Sequence, residues 1–509
     1  MKKGRCNKLA IECGRLEVKL ISMKAKIKPY LVWFLMLFFF VLYSAWSINR
    51  YAHFQTDAID LGLYAQTMWK YANFKAPLSS IKYDTFPGPN MLGDHFHPVL
   101  VLLVPFYWLW QDPRMLLLLQ AAFVALAAWP IYMVAKKFSE HEFFSLCASF
   151  AYLAFIGVQT AIDYDFHVAA LSVLPLSLTV YALIFDKKLL YWLAWLMGVL
   201  TKEDVTLFMV VIGFLAILKF KKEKLGVATM ILSIAAYLLV TQLAIPYFKG
   251  DKFAYEELDP SLGVSTVDMI KTTVVSPWVT ARVLFQPALK FKTITNLIAP
   301  FSFLPLFDPL SLLLLGPNFA SRFLTVLSQR WLIRYQYSVN IAPLLAFGTI
   351  WGMANLVKVT GAVKFIARRT KSLYWFGGAA LILTTLIQTY RTQTPLFRMF
   401  NPQLYQSEPR FTINNQLLSS IPKDSSVMAQ SCFVPQLAHR DAIYRYEDTL
   451  FGKGIYPDYI IMSSTEHSDP PWSRPELEER IGKLRDNPRY EELFWDGERL
   501  LLKLLIKKD

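Results

Sequence analysis

Apolar runs of near-bilayer length recur along this chain, separated by short polar breaks. A helix needs about 20 apolar residues to cross the hydrocarbon core, so such runs predict transmembrane helices. The first run is roughly Pro29 to Trp46. "RMLLLLQAAFVALAAWPIYMVA", "FFSLCASFAYLAFIGVQT" and "VAALSVLPLSLTVYALIF" follow. "LLYWLAWLMGVL" and "VTLFMVVIGFLAIL" flank "TKED". Each half is short for a span, so the pair predicts a helical hairpin with Lys202, Glu203 and Asp204 below the membrane surface. "LGVATMILSIAAYLLVTQLAIPYF", "ITNLIAPFSFLPLF", "LSLLLLGPNFASRFL", "VNIAPLLAFGTIWGMANLV" and "SLYWFGGAALILTTLIQTY" complete a set of about eleven spans. "GDHFHPVLVLLVPFYWLW" has a short apolar part with two prolines and reads as juxtamembrane or re-entrant.

After Arg391 the pattern changes. "SSVMAQ", "AIYRY", "DYIIMS" and "LLLKLLI" read as short strands. "RPELEERIGKLR" reads as a helix with Pro475 near its start and acids in its first turn. The expected fold class is therefore a mainly α, polytopic membrane protein with a C-terminal soluble α/β domain. The expected division is 1–28 as a basic terminus, 29–390 as the multi-span domain and 391–509 as the soluble domain.

Charge sets the expected sides. The net charge is +15, and much of the excess lies in short basic clusters between apolar runs. That distribution is the positive-inside signal rather than a nucleic-acid footprint. The basic N-terminus, Lys136-Lys137, Lys187-Lys188 and "KFKKEK" are placed in the cytoplasm. The hairpin puts both of the last two clusters on one side. The C-terminal domain then lies on the outer face of a plasma (inner) membrane. The four cysteines, Cys6, Cys13, Cys147 and Cys432, are scattered and imply no disulfide framework.

On this topology the acids and histidines gather outside. Asp57, Asp60, Asp94, His95, His97, Asp163, Asp165, His167, Lys202, Glu203, Asp204, Arg330 and Arg334 all fall at outer span ends or in outer loops. Ionisable groups at membrane depth are costly and are functional candidates by default. Each also has a plainer reading. Asp57 and Asp60 are spaced to cap the helix holding "LGLYAQTMW". Leu61, Tyr64, Ala65, Met68 and Ala72 share a face of that helix, which predicts a surface-lying helix anchored by Trp69 and Tyr71. "DHFH" and "DYDFH" are either metal ligands or polar loops. "KED" is either a self-neutralising cluster or a cation for an anionic substrate. Arg330 and Arg334 either snorkel or clamp a phosphate. The chain has no ATP-binding glycine loop.

"DLGLYAQTMW", "GDHFHPVLVLLVPFYWLW", "LLLLQAAFVALAAWPIYMVAKK", "DFHVAALSVLPLSLTVYAL" and "TKEDVTLFMV", in this order and spacing, resemble an uncharacterised prokaryotic integral-membrane family. That family is grouped with the GT-C glycosyltransferases. The resemblance is strong from Tyr30 to Lys224. It weakens through "RYQYSVNIAPLL", where Gln336 stands in place of an expected His. It implies a sugar donor on polyprenyl phosphate and an acceptor hydroxyl on a glycan, lipid or protein. Asp60 matches the acid of the first outer loop and would be the base, with Asp57 beside it. Lys202, Arg330 and Arg334 would meet the donor phosphate. Gln66, Trp69, Asp163, Glu203, Asp204 and Tyr337 would shape the substrate site. A divalent metal is admitted, its ligands drawn from Asp94, His95, His97, Asp163, Asp165 and His167. Two other classes stand as alternatives: a transporter or flippase of a lipid-linked sugar, and a non-catalytic envelope scaffold. A transporter would often show two related halves, and none is visible here.

The expected topology is checked by cysteine labelling of whole cells. Cysteines placed near Lys137, Lys188 and Lys222 should be protected from an impermeant thiol reagent, while those near Asp60, Tyr164 and Ser425 should react. Labelling at Lys222 with protection at Ser425 would overturn the hairpin.

Overall fold

The structure is a computed structural model that describes residues 30–82, 88–251, 258–361 and 370–505. The basic terminus 1–28 and most of the cluster "KFIARRTK" lie outside the described residues. The first helix, Tyr30–Ala52, shows how the apolar pattern becomes a bundle. Val32, Met36, Phe39, Tyr43 and Trp46 recur every three or four residues and are all buried. Trp33, Phe34, Leu37 and Val41 on the other side are exposed. One stripe packs on neighbouring helices, and the rest of the helix is as apolar as a lipid tail requires. Helices Arg114–Ser139, Glu142–Asp163 and Gln336–Thr360 form the bundle centre, with Glu223–Lys249 at its edge.

Those five are the described helices long and apolar enough to cross a membrane, against the eleven expected. The shortfall has physical causes. Val99–Leu109, Lys188–Val199 and Val205–Leu218 are apolar but hold 11, 12 and 14 residues, and at 1.5 Å per residue the longest reaches about 21 Å. "ITNLIAPFSFLPLF" and "LSLLLLGPNFASRFL" are not continuous helices. They break into Ala288–Ile298, Ala299–Phe301, Leu304–Phe307, Pro309–Leu312, Leu313–Leu315 and Gly316–Phe323. Pro300, Pro305, Pro309 and Pro317 each remove a backbone donor there, and Ser302 and Phe303 adopt positive φ. Thr370–Thr392 is long but less apolar. The two halves around "TKED" are separate helices.

The C-terminal domain carries one sheet in the order β2-β1-β3-β5-β4. The strands are β1 (Val427–Ala429), β2 (Ile443–Arg445), β3 (Tyr459–Ser463), β4 (Tyr490–Trp495) and β5 (Arg499–Leu504). β1 pairs in parallel with β2 and β3, and β5 pairs antiparallel with β3 and β4. Side chains alternate as the pleat demands. Met428, Ile460, Met462, Leu500 and Leu502 pack under helix Arg474–Arg485 with Leu477, Ile481 and Leu484. Val427, Ala429, Ile461 and Leu501 face helix Pro409–Ser420 and also Phe54, Ala58, Leu63, Ile81 and Met91 of the first long loop. The sheet is therefore one wall of a core shared with the membrane part. Ser473 and Glu476 form a capping box on Arg474–Arg485. Cys147 and Cys432 are free and buried.

Helices Val205–Leu218 and Glu223–Leu239 meet at two glycines. A Cβ on Gly226 would fall 2.5 Å from the Gly213 carbonyl oxygen, and one on Gly213 would fall 2.8 Å from that of Gly226. Gly226→Leu should lower the melting temperature in detergent by the equivalent of about 1–3 kcal/mol of overpacking. Gly482→Ala, where an added Cβ meets nothing, should leave it unchanged or raise it, since Ala favours helix by about 1 kcal/mol.

Candidate active site

The chain leaves the first helix through a turn at Phe54, which has φ 56°, and enters a π-turn over Ala58–Gly62. Asp57 occupies the N-cap position of that turn but makes no side-chain cap. Its carboxylate is turned to the C-terminal domain instead. Oδ1 accepts from Ser431 Oγ at 2.9 Å, and Oδ2 accepts from His467 Nε2 at 3.0 Å. Helix Leu63–Ala72 follows and is buried on nearly every side. Leu61, Tyr64, Ala65, Met68 and Ala72 pack on the bundle with Leu103, Leu116 and Phe166. Leu63 packs on Phe433 and Val434 of the C-terminal domain. The expected surface-lying helix is thus a sandwiched one, because the domain covers the face that would have met water. At Gly62 a Cβ would come within 2.9 Å of Val434, so the close approach needs a glycine.

Gln66 and Trp69 line this docking surface. Gln66 Nε2 donates to the carbonyls of Arg440 and Asp441 at 3.0 and 3.3 Å, and Oε1 accepts from Ser79 Oγ at 2.7 Å. Trp69 stacks on His439, with Lys75 over its ring.

Asp60 lies inside the π-turn, facing the loop between Asp163 and Val168. Its Oδ1 is 4.0 Å from His167 Nε2. His167 Nδ1 accepts from the Ala169 N–H at 3.1 Å. In the neutral ring the proton therefore sits on Nε2, toward Asp60. Fully buried Gln120 holds this loop, donating to the Asp165 carbonyl and accepting from the His167 N–H, each at 2.8 Å. Asp165 needs that support, since its φ is 71°. The Asp165 carboxylate accepts from the Asp57 N–H at 2.6 Å and from Arg50 Nη1 at 3.1 Å.

Burial, and then the charges of Asp165, Asp57 and Asp469, raise the Asp60 carboxyl well above its ordinary value. Burial raises Asp165 too, against the pull of Arg50. Burial and then Lys202 hold the His167 proton well below the usual imidazole range. The site is thus a carboxyl poised to gain a proton beside a neutral imidazole.

The other expected residues divide. Asp163 is a strut: it accepts from Trp46 Nε1 at 3.0 Å and pairs with Arg398 and, at 3.9 Å, with Arg50. Glu203 accepts from His95 Nδ1 at 2.8 Å and from the Phe96 N–H at 3.2 Å. Lys202 and Glu203 are buried, and Lys202 lies 3.9 Å from Asp204. Arg334 is exposed, donates to Tyr335 Oη at 2.6 Å and lies over that ring. Tyr335 packs edge-on to Tyr164 at 5.1 Å, and Tyr164 senses the Asp60 charge. Tyr337 offers its carbonyl to Asn318 Nδ2 at 2.8 Å. Lys202 acts on His167 beside Asp60 through its charge, Arg334 connects to Tyr164 through Tyr335, and Arg330 offers its carbonyl to Arg322 Nε at 2.7 Å.

The admitted metal ligands do not fit a metal. Among the described residues no three His, Cys, Asp or Glu side chains form a ligating group. Asp94 gives both oxygens to Lys82 at 2.7 and 2.8 Å. His95 is bound to Glu203, His167 Nδ1 to the Ala169 N–H, and Asp165 to Arg50 and Asp57. His97 keeps both ring nitrogens unpartnered, but it stands alone at the edge of Tyr64. Asp163 is consumed as above.

Several residues escaped the sequence reading. Arg50 looked like the flank of a span. Ser431, His467 and Asp469 sit in loops of a domain far along the chain. Arg322 ended an apolar run, where arginines commonly snorkel. In the structure it is buried, donates to Ser338 Oγ at 2.9 Å, and leaves Nη2 unpartnered.

Among solved structures, the fold is similar to ArnT from Cupriavidus metallidurans bound to undecaprenyl phosphate, at 12% identity and TM-score 0.50, covering 93% of this chain and 97% of that one. ArnT from the same organism in the apo state matches at 12% identity and TM-score 0.43, over 91% and 97% of the two chains. At this identity the likeness is one of fold. No curated protein matches this sequence. A family model described as "Predicted membrane protein (DUF2079)" matches residues 50–497. The chain belongs to that family of membrane proteins.

Proposed function

We propose that this protein is a GT-C-type membrane glycosyltransferase that moves a sugar from a polyprenyl-phosphate donor to an acceptor hydroxyl on the outer membrane face. The observation that carries the reading is Asp60. It is a largely enclosed carboxyl without a salt bridge to any Lys or Arg among the described residues, its side chain 13% exposed and 4.0 Å from a tautomerically fixed His167. Its fold setting is like that of a protein crystallised with undecaprenyl phosphate.

In this reading the acceptor oxygen attacks the anomeric carbon while Asp60 takes the hydroxyl proton. The bond from that carbon to the phosphate oxygen breaks, and polyprenyl phosphate leaves with the electron pair from the opposite face, inverting the carbon. A raised carboxyl suits general-base work near neutral pH, because its basicity approaches what the proton transfer needs. Asp57 is a weaker candidate for the base than the motif implied, because both of its oxygens already accept hydrogen bonds. Its work is to hold the turn. The developing phosphate charge needs cations. Lys202, Arg330 and Arg334 remain the proposed source, and Arg322 joins them. Its guanidinium pairs with no carboxylate among the described residues and donates instead to the Arg330 carbonyl, Asn318 Oδ1 and Ser338 Oγ.

Asp60→Asn should remove most product, since loss of a general base is worth roughly 10²–10⁴-fold. Mass spectrometry of envelope glycans and lipids from cells with the wild type, the variant or neither reads this. The same variant should be more stable than the wild type at neutral pH. The folded-state carboxyl holds its proton above the ordinary aspartate value of about 3.9. Ionising it in the fold therefore costs stability that is intact below that value and lost as pH rises toward the folded value. The gap in melting temperature between variant and wild type should widen from pH 4 to pH 7. An Asp60→Asn protein that keeps full product, or melts earlier at pH 7, would sink the base assignment.

Lys202→Met should weaken binding of polyprenyl phosphate as well as turnover, because it removes charge from the ground-state complex. Unchanged donor affinity would move the phosphate toward Arg322, Arg330 and Arg334.

A further inference from the structure

We infer that the C-terminal domain is part of the active site, and that His467 is a positioning residue that holds, through Asp57, the turn presenting Asp60. The inference rests on the transferase reading for its consequence but on geometry for its substance. The first amides of any helical turn lack partners within it. Here they are met from outside. The Asp57 N–H goes to Asp165, the Ala58 N–H goes to Ser431 Oγ at 3.1 Å, and the Asp57 carboxylate is gripped by Ser431 and His467. Three of these four bonds come from the C-terminal domain.

The grip is built rather than incidental. Ser431 follows β1 and His467 follows β3, neighbouring parallel strands, so both leave the sheet at the carboxyl ends of those strands. In open α/β sheets that edge is where ligands are met. Arg445, which ends parallel strand β2, reaches Asp469 at 3.7 Å on the same edge. Behind it, fully buried Gln430 pins the His467 segment. Its Nε2 donates to the carbonyls of Glu466 and His467, each at 3.0 Å, and its Oε1 accepts from the Ser463 N–H at 2.8 Å. A buried amide spent wholly on orienting one loop implies that the loop's position matters. His467 itself is half exposed at the rim. Its bond to Asp57, aided by the charges of Asp165 and Asp469, holds its proton more firmly than a free imidazole. It thus sets an N–H donor among Asp57, Asp165 and Asp469, and no Lys or Arg among the described residues bonds to the Asp57 carboxylate.

The test uses the full-length protein in lipid nanodiscs, with hydrogen–deuterium exchange read at amides 58–62, together with product analysis in cells. His467→Ala should raise exchange at 58–62 by about tenfold or more, since a hydrogen bond to a charged group is worth at least a decade in an equilibrium. β1 and β3 should stay protected, and product should fall. His467→Gln, which retains an N–H donor, should recover most of both. Should His467→Ala not fold, Ser431→Ala carries the same expectation. Unchanged exchange in these variants, or a His467→Gln as defective as His467→Ala, would overturn the inference. Exchange is read without substrate, so it decides the clamp even if Asp60→Asn refutes the transferase reading. Raised exchange with undiminished product in His467→Ala, where Asp60→Asn abolishes product, would overturn the positioning role.

Discussion

The hydrogen bond from the Asp57 amide to the Asp165 carboxylate joins two loops that the chain separates by more than a hundred residues. One loop leaves the first helix and the other links the helices ending at Asp163 and beginning at Val168. Arg50 stands where the two meet and pairs with Asp165 at 3.1 Å and Asp163 at 3.9 Å. Without such a cation the crowding of carboxylates would be expensive, because buried like charges repel in a medium that screens poorly. Asp60 is the member that has no such partner. Its neighbours are held by hydrogen bonds, so the cost of the cluster is concentrated on one side chain.

That concentration explains why the soluble domain sits where it does. Its sheet shares a core with Phe54, Ala58, Leu63, Ile81 and Met91 of the first long loop. The apolar contact fixes the domain against the bundle, while Gln66 and Ser80 align it through hydrogen bonds to the Arg440 and Ile443 carbonyls at 3.0 and 2.6 Å. Once the sheet is placed, the carboxyl ends of its parallel strands can only face the turn that carries Asp57 and Asp60. Hydrophobic burial sets the position, and polar bonds of short reach set the register.

The coarse architecture was legible because it depends on long-wavelength pattern. Apolar runs announced a membrane protein, and short segments of β-type content such as "SSVMAQ" and "DYIIMS" announced the sheet. Strand β4, "YEELFW", was missed, since it lies at the sheet edge with three consecutive exposed residues and offers little alternation. The number of spans was overestimated where prolines cut apolar runs into single turns, a feature that hydropathy averages away. The acids of the site were visible as types but not as roles. Asp57 and Asp60 are three residues apart and equally plausible as caps. Only the position of Ser431 and His467, roughly 400 residues on, shows that one is gripped and the other is not.

Polar groups left unsatisfied carry the argument a step further. His97, Asp204, Arg322 and Gln336 each keep a buried polar atom without a partner, at about 1–3 kcal/mol for such a group. Elsewhere in the bundle, polar side chains are satisfied locally, as Ser177 and Thr179 are by the carbonyls of Val173 and Pro175 at 2.7 Å. His97 borders Tyr64, Gln336 sits between Tyr335 and Tyr337, and Arg322 bonds Ser338 just after them. A membrane fold tolerates such costs where a ligand with hydroxyls and a phosphate would later meet them. The proposed transferase reading asks for that inventory: one costly base, an imidazole with its proton directed at it, and unspent polar atoms able to meet a ligand.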